Sequence, residues 1–440
     1  MSFNRKVKKK KVWNVLVFPG GTENGLEINK SLRYSKEVKL FSASNNSQNH
    51  AEYVFERHFI IPDIKNNKCL TKLNNLIIRK KIDFLFPSNS LVIDFLIANR
   101  KKIKCKVIQP EDNIVKITRS KKEIYKIFKD KLSIPAIYDR KKLKRKNFPV
   151  FIKPNSSYGS KGARKISSLN ELKSLDINFS EYLICEFLPG KEFTIECFST
   201  RTEGVLYCMA RSRERVRMGT SMYSKKASEK IQKESKKIAE IIFKDLNISG
   251  LWFFQLKINS DNKLSLLEIE TRVAGTMALS RSLGINLPLA NLYLEIDKPF
   301  SFKQQGYEIE IDRSLSNRYK TDIKYNTVYL DLDETIIVKG KINTEIMKFI
   351  YQCINEKKKL VLISKSLEKD KIKFLKKFKL ENLFNQIIWL KENESKSKYI
   401  EDKKSIFIDD SFLERREVEE KCKIHSFDPN MIEVLINDRI

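Results

Sequence analysis

Short apolar runs alternate with amphipathic stretches from the start of the chain. Residues 12–18, 38–42, 84–87 and 107–109 are nearly continuous apolar segments, and amphipathic stretches separate them. Strands alternating with helices in this way predict a parallel sheet covered by helices. The turn Pro19-Gly20-Gly21-Thr22-Glu23-Asn24-Gly25 after the first run either approaches a ligand or simply joins strand to helix, and it lacks the full dinucleotide-binding spacing. Residues 120–132 carry Ile124, Ile127, Phe128 and Leu132 at helical spacing, and the pattern breaks at Ile134-Pro135. A basic linker at 140–146 leads to a strand at 150–153. Residues 182–196 read as strand, tight turn and strand, 250–258 and 264–269 as a strand pair, and 205–225 as a specificity loop. Polar and charged residues dominate 300–326 before a new apolar run begins at 327. No internal repeat is visible.

A chain of 440 residues predicts about two to four compact units. An apolar fraction of 41% is that of a globular protein, and no run approaches the about 20 apolar residues of a membrane span. Lys8 to Lys11 followed by apolar residues resemble a secretory leader. Asn14 interrupts that run, however, and Pro19-Gly20-Gly21 ends it without a cleavage site, which predicts a buried first strand behind a basic tail. The seven cysteines are odd in number and never form a C-x-x-C pair, and only three histidines are present. That argues against zinc, a disulfide framework and a histidine triad, and for a reducing, cytoplasmic setting. The net charge of +31 is spread along the chain, so a solvated lysine surface is favoured over a nucleic-acid partner. A homo-oligomer is compatible with all of this.

Residues 149–165 place Lys153 at a strand end before a small-residue loop, whose N–H groups can wrap phosphate oxygens. The hinge at 182–196 can offer backbone groups to adenine and Glu192 to ribose hydroxyls. Glu268 and Glu270, two apart on a strand, share a face. Paired carboxylates repel unless a cation lies between them, and oxygen donors suit magnesium; Arg272 could steady a transferring phosphoryl group. The plainer alternative is an acidic surface strand with an ion-paired arginine.

Together these segments resemble the ATP-grasp superfamily, particularly its carbamoyl-phosphate-synthase-like branch, over about residues 12–300. The resemblance implies a Rossmann-like pre-domain at 1–115 and an ATP-grasp domain at 116–310. It implies that Lys121, Lys153, Ser160 and Gly162 meet ATP phosphates, Glu186 and Leu188 the adenine, and Glu192 the ribose. Gln255, Glu268 and Glu270 would hold magnesium, with manganese as a substitute, and Arg272 would face the transferred phosphate. Residues 210–219 look like the arginine-rich segment that borders the acceptor site in this branch. Ser120 replaces the usual acidic or amide residue, which leaves Lys121 against Lys122 open, and Glu270-Thr271 replaces asparagine-proline.

After a linker at 311–326, the apolar run 327–330 ends in Asp331-Leu332-Asp333-Glu334-Thr335. Further strands at 360–363 and 405–408 end in Ser364 and in Asp409-Asp410. Polar groups at three strand ends meet at the carboxyl edge of a parallel sheet, where the first aspartate can attack phosphorus and the second can exchange protons. The pattern resembles the haloacid dehalogenase superfamily, and residues 327–440 would be a capless, Rossmannoid phosphatase domain. The resemblance makes Asp331 the nucleophile and a metal ligand, Asp333 the acid/base and a metal ligand, Ser364 the phosphate-binding hydroxyl, and Asp409 or Asp410 the remaining ligand. For its lysine, Lys396 is preferred over Lys398.

The chain thus reads as an α/β and α+β multidomain enzyme. It would use ATP to activate a small-molecule carboxylate for attack by an amine, with a phosphatase acting on a related phosphorylated metabolite. The alternatives are a phosphatase with a degraded ATP-grasp nucleotide sensor, and a basic, nucleic-acid-associated defence module that uses ATP as a ligand.

Overall fold

The computed structural model describes residues 11–45, 48–156, 162–217, 219–365 and 371–439. The chain divides between Leu315 and Ser316 into two compact units.

The first unit opens with a five-stranded parallel sheet of β1 (Trp13–Phe18), β2 (Val38–Ser44), β3 (His58–Ile60), β4 (Phe84–Pro87) and β5 (Lys106–Val107), in the order β3-β2-β1-β4-β5. Val15, Leu16 and Val17 are fully buried, as a central strand covered on both faces requires. β3 is the strand that the apolar pattern misses, because His58–Ile60 is only three residues long. The turn after β1 is a strand-to-helix connection: the helix Glu23–Leu32 starts behind Thr22, whose hydroxyl accepts from the Gly25 N–H. Asn89 caps the helix Ser90–Ala98 in the same way.

The helices Asp112–Arg119 and Lys121–Phe128 lead into a small sheet, β7-β6-β8, of β6 (Val150–Pro154), β7 (Arg164–Ile166) and β8 (Tyr182–Glu186). A larger antiparallel sheet follows, in the order β10-β9-β13-β14, from β9 (Glu192–Thr200), β10 (Gly204–Ser212), β13 (Gly250–Ile258) and β14 (Leu264–Glu270). Between them in sequence, β11 (Arg215–Arg217) and β12 (Thr220–Lys225) pair with each other, and β12 pairs with β15 (Glu310–Asp312). The stretch 205–225 is therefore mostly strand rather than loop. Its run of arginines hides the alternation that would have revealed it. The polar segment that begins at 311 likewise starts inside a strand, β15.

One face of the large sheet is apolar. Ile195, Cys197, Trp252, Phe254, Leu256 and Leu266 pack with Ile238, Ala239 and Ile242 of the helix Glu229–Leu246. Phe254 is fully buried in this core and stacks on Trp252. Phe254→Ala should therefore cost about 3–5 kcal/mol, read as a fall in the urea midpoint of the first unit's unfolding transition. The opening sheet does not stand apart from this body. Val15, Val17, Ile28 and Leu32 share a core with Phe198, Leu251, Leu279 and Leu287.

β14 carries an irregularity that matters for the site. Gln255 faces Glu268 across the ladder and Leu256 faces Leu266, so Leu267 is an extra, bulged residue. Leu266 consequently packs into the core while Glu268 and Glu270 both face the opposite, polar side.

The second unit is a parallel sheet in the order β20-β19-β16-β21-β22, built from β16 (Thr327–Leu330), β19 (Lys359–Ser364), β20 (Gln386–Trp389), β21 (Ser405–Ile408) and β22 (His425–Phe427). A hairpin of β17 (Ile337–Val338) and β18 (Lys341–Ile342) follows β16, and the helices Thr344–Asn355, Lys371–Lys377 and Phe412–Cys422 flank the sheet. Among the described residues, the path from β16 to β19 holds only this hairpin and one helix. Leu330 pairs with Leu362 on one side and Ile408 on the other, so the residues that follow β16, β19 and β21 emerge side by side.

Candidate functional site

In the first unit, a cleft of about 340 Å³ lies over the polar face of the large sheet. Register sets its floor. Arg211, Thr194, Gln255 and Glu268 lie side by side across β10, β9, β13 and β14, and Phe253 and Glu270 occupy the next row. Lys121, Lys153, Glu186, Leu188, Glu192, Gln255, Glu268, Glu270 and Arg272 all line this one cleft.

Placement separates the two adjacent lysines. Lys121 is buried with its ammonium 3.5 Å from Glu268, whereas Lys122 is exposed and reaches the Ser180 carbonyl. Lys153 is buried and donates to the Tyr125 hydroxyl at 2.6 Å, which in turn donates to the carbonyl of the bulged Leu267 at 2.9 Å. Burial pulls the Lys153 ammonium below its ordinary pKa against the pull of Cys185, Glu268 and Glu192. Burial also works against the Glu268 carboxylate, but Lys121, Arg272, Lys153 and Arg213 outweigh it and hold the carboxyl below its usual range.

Glu270 is more tightly engaged than its neighbour. Arg119 reaches one oxygen at 3.1 Å, Arg272 lies 3.5 Å from the other, and the Ser90 hydroxyl meets both. Arg272 also donates to Ser90 at 2.9 Å and lies over the Phe253 ring. Glu192 is ion-paired with Arg213 at 2.7 Å and Lys257 at 3.7 Å. Phe151, Cys185, Phe187 and Leu188 give the cleft an apolar portion beside Glu186. Gly162 holds a left-handed φ of +77°, and a Cβ there would meet the Tyr182 hydroxyl at 2.8 Å. Ser160 lies outside the described residues. The oxygen donors Gln255, Glu268 and Glu270 suit a hard divalent cation.

Sequence reasoning missed Arg119, Tyr125, Ser90 and Glu196. A weak signal existed for Tyr125, which stands four residues after Lys121 and so shares its helical face. Arg119, at the end of the preceding helix, carried none.

The second unit gathers its polar groups more closely. Asp331, Asp409 and Asp410 bring carboxylate oxygens within 4.8 Å of one another. Lys396 is buried and donates to Asp331 at 2.7 Å and Asp409 at 2.6 Å, whereas Lys398 is exposed. Burial, opposed by Lys396 and reinforced by Asp409, pushes the Asp331 carboxyl up to about 7. Burial pushes the Asp409 carboxyl up as well. Burial disfavours the Lys396 ammonium, yet the two carboxylates hold its pKa above the ordinary value.

Thr335, fully buried, accepts from the Asp410 N–H at 3.0 Å, and Arg415 donates to the carbonyls of Asp409 and Asp410 at 2.7 Å each. Asp333 is half-buried at the start of the turn into the hairpin, and Ser364 is buried at the end of β19. Three clustered carboxylates, two of them paired with one ammonium, form an all-oxygen donor set of the kind that magnesium or manganese takes.

A family model described as "ATP-grasp in the biosynthetic pathway with Ter operon" matches residues 178–316. No curated protein matches the chain in sequence. Among solved structures, the chain is similar to the biotin carboxylase domain of Hydrogenobacter thermophilus 2-oxoglutarate carboxylase, in complex with MgADP, ADP and bicarbonate. That match has 11% identity and a TM-score of 0.55, and covers 66% of this chain and 71% of that one. It is similar to L-amino acid ligase from Bacillus licheniformis at 16% identity and a TM-score of 0.52, covering 64% and 74%. It is also similar to N5-carboxyaminoimidazole ribonucleotide synthetase from Thermotoga maritima at 14% identity and a TM-score of 0.50, covering 67% and 78%. The chain contains an ATP-grasp fold. No helix among the described residues is long and apolar enough to cross a membrane.

Proposed function

We propose that the first unit is an ATP-dependent ligase that activates a small-molecule carboxylate as an acyl phosphate for attack by an amine. The observation that carries this reading is the convergence of Lys121, Lys153, Gln255, Glu268, Glu270 and Arg272 on one cleft with an apolar portion. The apolar portion at Phe151, Phe187 and Leu188 takes adenine, and Lys121 and Lys153 offset the charge of the ATP phosphates. Gln255, Glu268 and Glu270 would hold magnesium, or manganese in its place, which when bound neutralises phosphate charge and orients the terminal phosphoryl group.

A substrate carboxylate oxygen attacks the terminal phosphorus and ADP departs. The Arg272 guanidinium, fixed by Ser90 and Phe253, meets the charge on the transferred group. The amine then attacks the acyl carbon, the carbon–oxygen bond to phosphate breaks, and the nitrogen loses a proton. The solved structures with this fold include a carboxylase domain holding MgADP and an amino acid ligase, and the matched family is described as biosynthetic; both support this reading.

For the second unit we propose a capless phosphohydrolase of the haloacid dehalogenase type, acting on a related phosphorylated metabolite. Asp331 attacks phosphorus while Asp333 protonates the leaving oxygen; water then cleaves the aspartyl phosphate as Asp333 takes its proton. Lys396 and Ser364 hold phosphate oxygens; Asp331, Asp409 and Asp410, whose carboxylates cluster, would with Asp333 hold magnesium, which when bound would offset their mutual repulsion.

Incubation with ATP, magnesium and a pooled metabolite extract tests the ligase. Products seen with wild type should be lost with Glu268→Gln, and ADP formation should fall at least about 100-fold. Unchanged products and ADP formation in that variant would sink the assignment.

A further inference from the structure

The cleft extends past the phosphoryl-transfer groups to the far edge of the large sheet, where Arg211 stands in the same cross-strand row as Glu268. Three strand spacings of about 4.8 Å separate their backbones by about 14 Å. Arg211 is only 1% exposed. Its Nε and Nη2 donate to one oxygen of Glu196 at 3.3 and 3.0 Å, and the other Glu196 oxygen accepts from the Ser280 hydroxyl. Tyr207 shares a hydrogen bond with Ser280 at 3.2 Å, so the guanidinium is locked in place by a buried network.

One nitrogen of that guanidinium is left over. Nη1 of Arg211 is buried and has no hydrogen-bond partner, and Arg211 lines the cleft. Ser221 and Thr276, 2% and 0% exposed, line the cleft as well and are joined through the Ser224 hydroxyl at 2.8 and 3.5 Å. A buried charged donor with no acceptor is unfavourable, so a site built to hold one implies an occupant that supplies the acceptor.

We propose that Arg211, Ser221 and Thr276 form a subsite for a second, non-reacting carboxylate, which makes the ligase substrate a dicarboxylic acid such as aspartate, glutamate or a short aliphatic diacid. The proposal rests on the ligase reading above. One carboxylate is activated at the Glu268–Arg272 end, and the other anchors the molecule at Arg211. Charge balance favours a carboxylate over a phosphate dianion. Glu196 already matches Arg211, and Glu192 lies between Arg213 and Lys257, so one further negative charge here is compensated and a second is not. A single carboxylate adds only the first and supplies acceptors for Nη1 and the hydroxyls.

The test uses the full chain with ATP, magnesium and hydroxylamine, which displaces phosphate from an acyl phosphate and leaves a hydroxamate, read as its coloured complex after ferric chloride is added. Aspartate, glutamate, succinate and glutarate are offered beside their monomethyl esters and beside acetate and butyrate. At least one diacid should give hydroxamate with a KM about 10- to 100-fold below that of its monoester. The paired variant Arg211→Met with Glu196→Gln leaves no buried charge alone. It should raise the diacid KM by the same factor, abolish the preference over the monoester, and leave the KM for ATP unchanged. Thr276→Val, which removes no charge, should move the diacid KM in the same direction by a smaller factor.

Equal use of diacid and monoester by wild type, or an unchanged preference in the paired variant, overturns the subsite while the ligase reading stands. No hydroxamate from any acid overturns the ligase reading, and the subsite with it.

Discussion

Asp331→Asn should lower phosphate release from p-nitrophenyl phosphate by at least about 1,000-fold, because an amide cannot make the attack that the carboxylate makes. The substitution keeps the shape of a side chain that is 6% exposed at the end of β16. It also removes one of two buried acids that share Lys396, while Asp409 remains to pair with the ammonium at 2.6 Å. Loss of activity should therefore come without loss of fold, visible as an unchanged far-ultraviolet dichroism spectrum. Ligase turnover should be untouched, since Asp331 belongs to a separate compact unit. Retention of more than about a tenth of the phosphatase rate would exclude Asp331 as the nucleophile.

The second large effect is expected from Lys153→Met, with kcat/KM for ATP falling about 100- to 1,000-fold in the ADP-release assay. Methionine fills the volume of a lysine stem that is almost wholly buried, and it removes a charge whose burial is itself unfavourable, so stability should hold. Tyr125→Phe keeps the charge but removes the oxygen that receives the ammonium at 2.6 Å. It should lower the same parameter less. Equal losses in both variants would mean that position, not charge, is what Lys153 contributes.

Much of this architecture was legible because the two sheets that matter have simple sequence signatures. Central parallel strands such as β1, β4 and β16 are continuous apolar runs, and the strand-end polar residues Asp331, Ser364 and Asp409 sit where such sheets gather ligands. Glu268 and Glu270 were readable as a pair because two residues on a strand face one way. The rest depended on distance in sequence. Arg119 meets Glu270 and Arg211 meets Glu196 only after the sheet and its flanking helices assemble, and no local pattern marks either. β10 and β12 escaped for a related reason: Arg211 and Ser221 are buried where they line the cleft rather than facing water, so the alternation of a half-exposed strand does not apply, while β11 is only three residues long and exposed throughout.

The bulge at Leu267 lets one short strand serve two masters. With strict alternation, Leu264, Leu266, Glu268 and Glu270 would all point the same way, and either the leucines would be wetted or the acids entombed. The inserted residue splits them, greasy half below and acidic half above. A shortened strand without it would still aim both acids upward, but it would lose the carbonyl that tethers Tyr125 and, through it, Lys153. The extra residue thus sets the spacing between the acidic edge and the lysine that faces it, so that a length change of one residue in the backbone would be felt as a misplaced cation rather than a missing ligand.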